Sequence, residues 1–369
     1  MAANPTTVRP PNLLGWAALV VVYIVWGSTY LAIRVGVRDL PPLTMAGLRY
    51  LTAGLLLYPI AVRTGAARLR AFDKPGRRQW LGSALVGLLL LAVGNGGLSI
   101  GEQTLDSGFA AVLVATVPLW MVLFAWPIDG DRPTRKAVGA LGIGLVGVAV
   151  LTGGGSGSGH LLGVAVVLGA SCAWGLGSVL AHRLELPQRA LVAAALEMIA
   201  GGSVLLFVAA VRGDYGRMHW SQVPTSAWLA LLYLIGPGSL LAFTAYGYAL
   251  SRLPLSTVST YAYVNPVVAV VLGVAILDEP VTAHQAVGTA LVVASVVLTL
   301  RRRDPRPALA PPDPTGETAR LGAVRGVPRR TLRRVRSGVV PAALEVAAVA
   351  EVRTAPPADT PRDCPRPRR

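Results

Sequence analysis

A tryptophan–glycine pair occurs twice in this chain, as Trp26-Gly27 and Trp174-Gly175, 148 positions apart. The same offset joins Leu13, Leu14 and Gly15 to Leu161, Leu162 and Gly163. It also joins Gly54 to Gly202, Trp80 to Trp228 and Pro118 to Pro266. One residue is gained after Pro118, so Gly139 meets Gly288 at 149. A period of this length means a duplicated folding unit rather than a small repeat motif. Each copy holds several long apolar stretches, so the unit is a bundle of membrane helices. Duplicated bundles are a common build of secondary transporters.

Composition excludes the soluble alternatives. With 53% hydrophobic and 14% charged residues and a mean hydropathy of +0.56, the chain has more apolar surface than a soluble core of this size can hide, and lipid can solvate it. The net charge of +16 lies in loops between apolar runs and in the segment after Leu300, as in the cytoplasmic flanks of membrane helices. It therefore argues against a nucleic-acid partner. Cys172 and Cys364 give no disulfide framework. Gly142 to Gly147 spells G-x-G-x-x-G within an apolar run with no strand before it, so it reads as a helix-packing face. Gly153 to Gly159 lacks the Lys-Ser/Thr of a phosphate loop, and His160, His182, His219 and His284 are scattered. No metal site, cofactor or enzymatic activity is expected, which leaves a gradient as the driving force.

Apolar runs near 20 residues predict an all-α integral membrane protein of ten transmembrane helices. The expected spans are 13–33, 43–62, 80–100, 107–127 and 136–152 in the first repeat (13–152). The second repeat (161–301) supplies 161–181, 190–211, 227–249, 255–277 and 283–300. Basic residues collect in alternate loops: Arg63, Arg68, Arg70, Lys74, Arg77 and Arg78, then Arg132, Arg135 and Lys136, then Arg183 and Arg189, then Arg252. This bias puts both termini of a multi-pass cell-membrane protein in the cytoplasm. Five spans per repeat is odd, so the second copy runs inverted relative to the first. Residues 302–369, rich in Pro, Arg and Ala, read as a disordered cytoplasmic tail.

With the repeat in place, particular segments resemble the EamA family of the drug/metabolite transporter superfamily. They include Trp26-Gly27-Ser28-Thr29-Tyr30, Pro41-Pro42-Leu43-Thr44 ahead of Leu48-Arg49-Tyr50, Gly94-Asn95, Glu102-Gln103 and Thr116-Val117-Pro118. The second half adds Glu197-Met198 with Gly201-Gly202, Ser259 to Pro266, and Asp278-Glu279-Pro280-Val281-Thr282 ahead of Gly288. The resemblance covers residues 13–300 and leaves the tail outside. It implies export of amino acids, related metabolites or drugs, without naming a substrate.

Candidate site residues follow from polarity inside the apolar runs. Arg49 lies seven residues into its span, about 11 Å deep, and its repeat partner is Glu197. Charges there face the interior or a partner; the pair either serves a pathway or latch, or ties down helix ends. Glu102, beside Gln103, either binds a proton or substrate amine or is an ordinary interfacial acid. Asp278 and Glu279 read as solvated caps ahead of the tenth helix. Asn95, among glycines, either lines the pathway or glues helices. Tyr261, Tyr263 and Asn265 make the start of the ninth span polar. Pro118 and Pro266 break matching helices, a pointer to the binding region. Trp26 and Trp174 either stack on substrate or pack in the core.

These readings combine into an expected secondary transporter, exporting a small organic metabolite by alternating access, with protons as a candidate coupling ion. Its partners are the lipid bilayer and a small-molecule substrate, and a homodimer is compatible with it. The alternative is a non-transporting receptor or scaffold that acts through the basic tail.

Overall fold

The structure, a computed structural model, describes residues 13–66, 74–130, 132–153, 158–218 and 220–300. The expected disordered tail, the link at 154–157, and Arg68 and Arg70 lie outside the described residues. Among those residues every regular element is helical. Eight helices are long and apolar enough to cross a membrane. They are α1 (Leu13–Gly36), α2 (Pro42–Ala66), α3 (Arg77–Gly101), α4 (Ser107–Asp129), α5 (Arg135–Thr152), α6 (Ser158–Ala181), α7 (Ala190–Val211) and α8 (Thr225–Leu250). Two helices close the series, α9 (Tyr261–Leu277) and α10 (Ala283–Leu300).

Local sequence explains where these helices start and stop. Thr134 caps α5 by accepting the Ala137 N–H at 3.2 Å. At α10 the Thr282 N–H donates to Gln285 Oε1 and the Gln285 N–H to Thr282 Oγ1, a reciprocal capping box. Gly130, at φ 76°, ends α4 in the left-handed conformation that favours glycine. The ninth apolar run is not one helix from 255. A turn at Leu255–Val258 precedes α9, and the interruption falls at Ser259–Thr260, where Thr260 Oγ1 donates to the Thr257 carbonyl.

Pro118 and Pro266 therefore act differently from the matching breaks expected of them. In α4 the helix is interrupted at Ala115–Thr116, just before Pro118, and Thr116 Oγ1 donates to the Leu113 carbonyl at 2.6 Å. Pro266 is accommodated inside α9, and the interruption sits further upstream. Each proline removes one backbone donor from its helix, and each interruption lies at a Thr whose hydroxyl donates to the carbonyl three residues back.

The expected repeat reappears in the contacts. A methyl group placed on Gly27 of α1 would lie 2.6 Å from Val268 of α9, and one on Gly175 of α6 would lie 2.6 Å from Trp120 of α4. Adding 148 to one member and subtracting it from the other converts the first pair into the second. Gly54–Ile199 becomes Gly202–Leu51 in the same way, and Gly15–Leu253 becomes Gly163–Leu105. Such exchange of partners is the mark of a two-fold relation between halves. Helices α2 and α7 cross at Gly54 and Gly202, and α5 and α10 at Gly144, Gly147 and Gly288. Helix α1 packs on α8 and α9 of the other half, and α6 on α3 and α4.

The exterior is apolar, as lipid requires: Trp16, Val20 and Ile24 form an exposed stripe on α1. Buried apolar clusters sit at two ends of the bundle. Val37, Leu40, Leu105, Phe109 and Leu231 pack at one, hereafter the Glu102 end. At the other, the Arg183 end, Leu19, Leu250, Leu253 and Val258 pack together.

Candidate functional site

Two helices carry a wider π-type turn at matching places. Leu88–Asn95 of α3 and Gly236–Leu241 of α8 are both π-helical, and Leu88 plus 148 is Gly236. Such segments free carbonyls and gather at functional sites. In α8, Ser239 Oγ donates to the Leu234 carbonyl at 2.9 Å and accepts from Arg49 Nε at 3.1 Å. Arg49 Nη2 also donates to the Gly238 carbonyl at 3.5 Å, and its guanidinium lies 4.6 Å from the Tyr50 ring centroid. Arg49 is 5% exposed, so it is a buried cation holding α2 of one half to α8 of the other.

In α3, Asn95 Nδ2 donates to the Leu90 carbonyl at 3.4 Å, five residues back, and the Asn95 carbonyl accepts from Ser99. Both bonds lie within its own helix. Glu197, the two-fold partner of Arg49, is half-buried and its backbone lies against Gly87 of α3. Arg49 and Glu197 do not pair with each other.

An aromatic cluster forms where α1, α8 and α9 meet. Trp26 stands 5.4 Å from Phe243, 5.1 Å from Tyr246 and 5.2 Å from Tyr261 by ring centroids, and Tyr246 and Tyr261 meet edge-on at 5.7 Å. The Tyr23 hydroxyl is hydrogen-bonded to Thr260, and Ser28 to Tyr233 at 2.6 Å. Asn265, one turn beyond Tyr261, is buried, and its Oδ1 has no partner among the described residues. Trp174 has different neighbours: it packs on Gly94 of α3. Positions 243, 246 and 261 correspond to Asn95, Leu98 and Leu113, so the aromatic cluster, built from both halves, has no counterpart around Trp174. Tyr263, two positions on, packs instead against the apolar core of the Glu102 end.

Trp26, Tyr30 and Arg34 are four residues apart and share one face of α1. That face leads from the aromatic cluster to a group of charges. Arg34 donates to the backbone carbonyl of Glu102 and lies 3.8 Å from Asp106. Glu102, just beyond α3, is 0% exposed, and neither carboxylate oxygen has a hydrogen-bond partner among the described residues. Burial holds its carboxyl well above the usual carboxylate range, against the opposing pull of Arg34 and with Glu279 adding to the rise. Burial and Glu279 likewise raise Asp106, and Arg34 opposes them. Gln103 is exposed and lines a surface cavity with Arg38, Asp39 and Asp214.

Glu279 is the residue that sequence reasoning misplaced. Its carboxylate accepts the Ser107 N–H at 2.8 Å and the Gly108 N–H at 3.1 Å. It thus caps α4 of the other half rather than α10, whose cap is Thr282. Asp278, at φ 53°, makes the reversal that turns Glu279 back. Asp106 occupies the N-cap position of α4, yet its side chain makes no cap bond.

At the Arg183 end, one loop between α6 and α7 ties three helices of the first half. Arg183 meets Asp129 at 2.6 Å and the Ile128 carbonyl at 2.8 Å. Glu185 meets Arg78 at 3.2 Å, and Arg189 donates to the Val62 carbonyl at 3.4 Å. Arg183, Arg78 and Glu185 are exposed, with Asp129 and Arg189 partly buried, and exposed ion pairs contribute about 0–1 kcal/mol each. The two-fold equivalent loop between α1 and α2 places Val37 and Leu40 where this one has Glu185 and Gln188. Val37 and Leu40 are buried, a contribution of about 1.5–3 kcal/mol for each such side chain.

A model of the EamA-like transporter family matches residues 13–153 and again 161–301. The chain is 40% identical over 285 residues to the "Uncharacterized inner membrane transporter YedA" of Escherichia coli strain K12, covering 77% of this chain and 89% of that protein. It is 29% identical over 287 residues to a "Probable terminal-alkyne amino-acid exporter" of Streptantibioticus cattleyicolor, covering 77% and 93%. Identity to a "Probable amino-acid metabolite efflux pump" of Salmonella typhimurium is 23% over 293 residues, covering 78% and 94%. A solved crystal structure superposes with a TM-score of 0.53 at 20% identity, covering 79% of this chain and 98% of that one, which speaks to the fold alone.

Proposed function

The chain is a membrane transporter of the EamA-like family, and from that premise we propose that it exports a small organic metabolite across the cytoplasmic membrane by alternating access. The observation that carries this reading is the exchange of contacts between the halves. Two units related in this way can swap which end of the bundle is closed without changing their internal packing. On this reading all ten helices span the bilayer, residues 13–152 and 161–301 are inverted repeats, and both termini are cytoplasmic. The Glu102 end then faces outward.

The substrate passes between Trp26, Phe243, Tyr246 and Tyr261, with Asn265 offering an unused acceptor. Trp174, Asn95 and Glu197 flank the two-fold-related face. Arg49 positions the π-type turn of α8. Glu102 carries the coupling proton: an unpaired carboxylate sealed from water is neutral, and it ionises when the outward end opens. Amino acids and related metabolites are the substrate class that the relatives' names favour.

Substrate flux in everted vesicles tests this. A panel of amino acids, purine-type metabolites and cationic dyes is offered with and without an imposed pH gradient. Gradient-dependent accumulation of one class is the expected result, and Glu102→Gln removes the gradient dependence. Accumulation of that class by Glu102→Gln at the unmodified gradient dependence would remove Glu102 from coupling.

A further inference from the structure

Three carboxylates and one arginine gather where α4 begins. Glu279 is offset by the positive N-terminus of α4, since its carboxylate accepts the Ser107 and Gly108 N–H groups. Asp106 is offset by Arg34 at 3.8 Å. The Glu102 carboxylate has no hydrogen-bond partner among the described residues, although Arg34 already donates to the backbone carbonyl of the same residue. Asp106 also stands in an unused position. It is the N-cap residue of α4, with φ −68° and ψ 150°, and its side chain makes no cap bond.

We propose that Asp106 is a positioning residue that carries the charge state of Glu102 to the junction between the halves. When Glu102 ionises it draws Arg34 onto its carboxylate, and the freed Asp106 caps its own helix in place of Glu279. The inference rests on the proposed role of Glu102 as the proton carrier.

Each step follows from the charges on hand. A buried carboxylate that ionises without a partner is costly. Its proton passes to water at the outer face, and Arg34 is the cation already bonded to the same residue. Asp106 is then left as an anion at a helix N-cap, where an Asp side chain accepts the N–H of the second or third helical residue. Those residues are Gly108 and Phe109, and the Gly108 N–H is one of the two that Glu279 holds. The cap thus passes from the second half to the first, and the bond between halves is released. Arg49 and Glu279 also act on Glu102, and Glu279, His160 and Arg38 on Asp106. Arg49 is held at Ser239 and Arg38 is exposed, which leaves Arg34 as the cation the two acids share. The positions equivalent to Glu102 and Asp106 are Leu250 and Pro254, so the exchange belongs to one end of the bundle.

The test uses a reporter, Ser107→Cys, in the full chain with Cys172→Ser and Cys364→Ser, reconstituted in nanodiscs. Ser107 is 0% exposed and its hydroxyl has no partner among the described residues. A thiol there is shielded while Glu279 holds the junction. Its maleimide labelling rate is divided by that of Thr104→Cys, an exposed site nearby, which removes the intrinsic pH dependence of a thiol. The ratio rises about tenfold from about pH 5 to about pH 9, and it stays low throughout with Glu102→Gln. Asp106→Asn and Asp106→Ala then move apart. The amide caps as well as the carboxylate and is not held by Arg34, so the ratio is high already at the acid end. The methyl group cannot cap, so Glu279 stays in place and the ratio is low even at the alkaline end.

A flat ratio in the reporter protein, whose four acidic and basic groups are intact, would overturn the exchange. Asn and Ala variants that shift together would overturn it as well. Gradient-driven flux separates this failure from that of the coupling reading. Gradient dependence that survives Glu102→Gln sinks the coupling, whereas dependence that needs Glu102 beside an unsplit Asp106 pair sinks the exchange alone.

Discussion

Glu279 closes the N-terminus of α4 through the Ser107 N–H at 2.8 Å, so an acid from the second half completes a helix of the first. Helix N-termini carry unpaired N–H groups and a partial positive charge, and a carboxylate there satisfies both. The ion-pair loop at the Arg183 end and this cap at the Glu102 end are both bridges between halves.

Removing the cap has a measurable cost. Glu279→Ala leaves the Ser107 and Gly108 N–H groups without their acceptor and destabilises the protein by about 1–2 kcal/mol. Thermal unfolding in detergent reads this as a lower Tm. Glu279→Gln retains one acceptor and falls between Ala and the native residue. An unchanged Tm for Glu279→Ala would show that the cap does not bind the halves.

Arg49 separates two roles by its readout. Arg49→Ala leaves the Gly238 carbonyl and Ser239 hydroxyl short of a buried donor, a loss of about 1–3 kcal/mol. The expected outcome is a reduced Tm together with reduced transport. Normal Tm with a raised KM would instead make Arg49 a substrate ligand.

The glycine crossings are intolerant at both symmetric places. A methyl group on Gly54 would lie 2.8 Å from the Ile199 backbone nitrogen, and one on Gly202 would strike the Leu51 backbone. Gly54→Ala and Gly202→Ala each destabilise by about 1–3 kcal/mol, because backbone cannot rotate away as a side chain can. Gly139→Ala and Gly169→Ala, where nothing lies within 4 Å, are neutral or slightly stabilising in a helix. Yields of folded protein from the four variants check the contrast.

Glu102 makes stability depend on pH with a definite sign. Its folded carboxyl is held above the ordinary value of 4.5, so the folded state keeps its proton where the unfolded state has lost it. Stability from this group is therefore fully present below the ordinary value and is lost as pH rises from there toward the raised one. Glu102→Gln flattens that slope and raises Tm at alkaline pH. A Tm profile identical to the native protein across this range would place the carboxylate in water.

Much of the fold was legible because membrane helices are written in long apolar runs and the repeat in paired glycines. Gly27, Gly54, Gly175 and Gly202 turn out to be the crossing points themselves. The interruption of the ninth run was not legible, because Ser259 and Thr260 read as polar positions within a helix and polarity alone does not mark a break. Within the candidate site, Trp26 and Tyr261 do come together, and Glu102 is buried and unpaired. Phe243, Tyr246 and Tyr23 were missed, although their spacing on α8 and α1 could have suggested a shared face. Glu279 was assigned to the helix that follows it in sequence, since capping rules are local and its real partner is 172 residues away.

The inversion of the two halves is the claim on which the rest depends, and sided labelling tests it most directly. Thr104 and Arg252 are equivalent under the 148-residue offset, and both are exposed. Each is replaced by cysteine in the Cys172→Ser, Cys364→Ser background and treated with an impermeant maleimide. Thr104→Cys should react in intact cells and Arg252→Cys only in everted vesicles. Reaction of both from the same side would contradict inverted repeats, and with them alternating access by exchange of the halves.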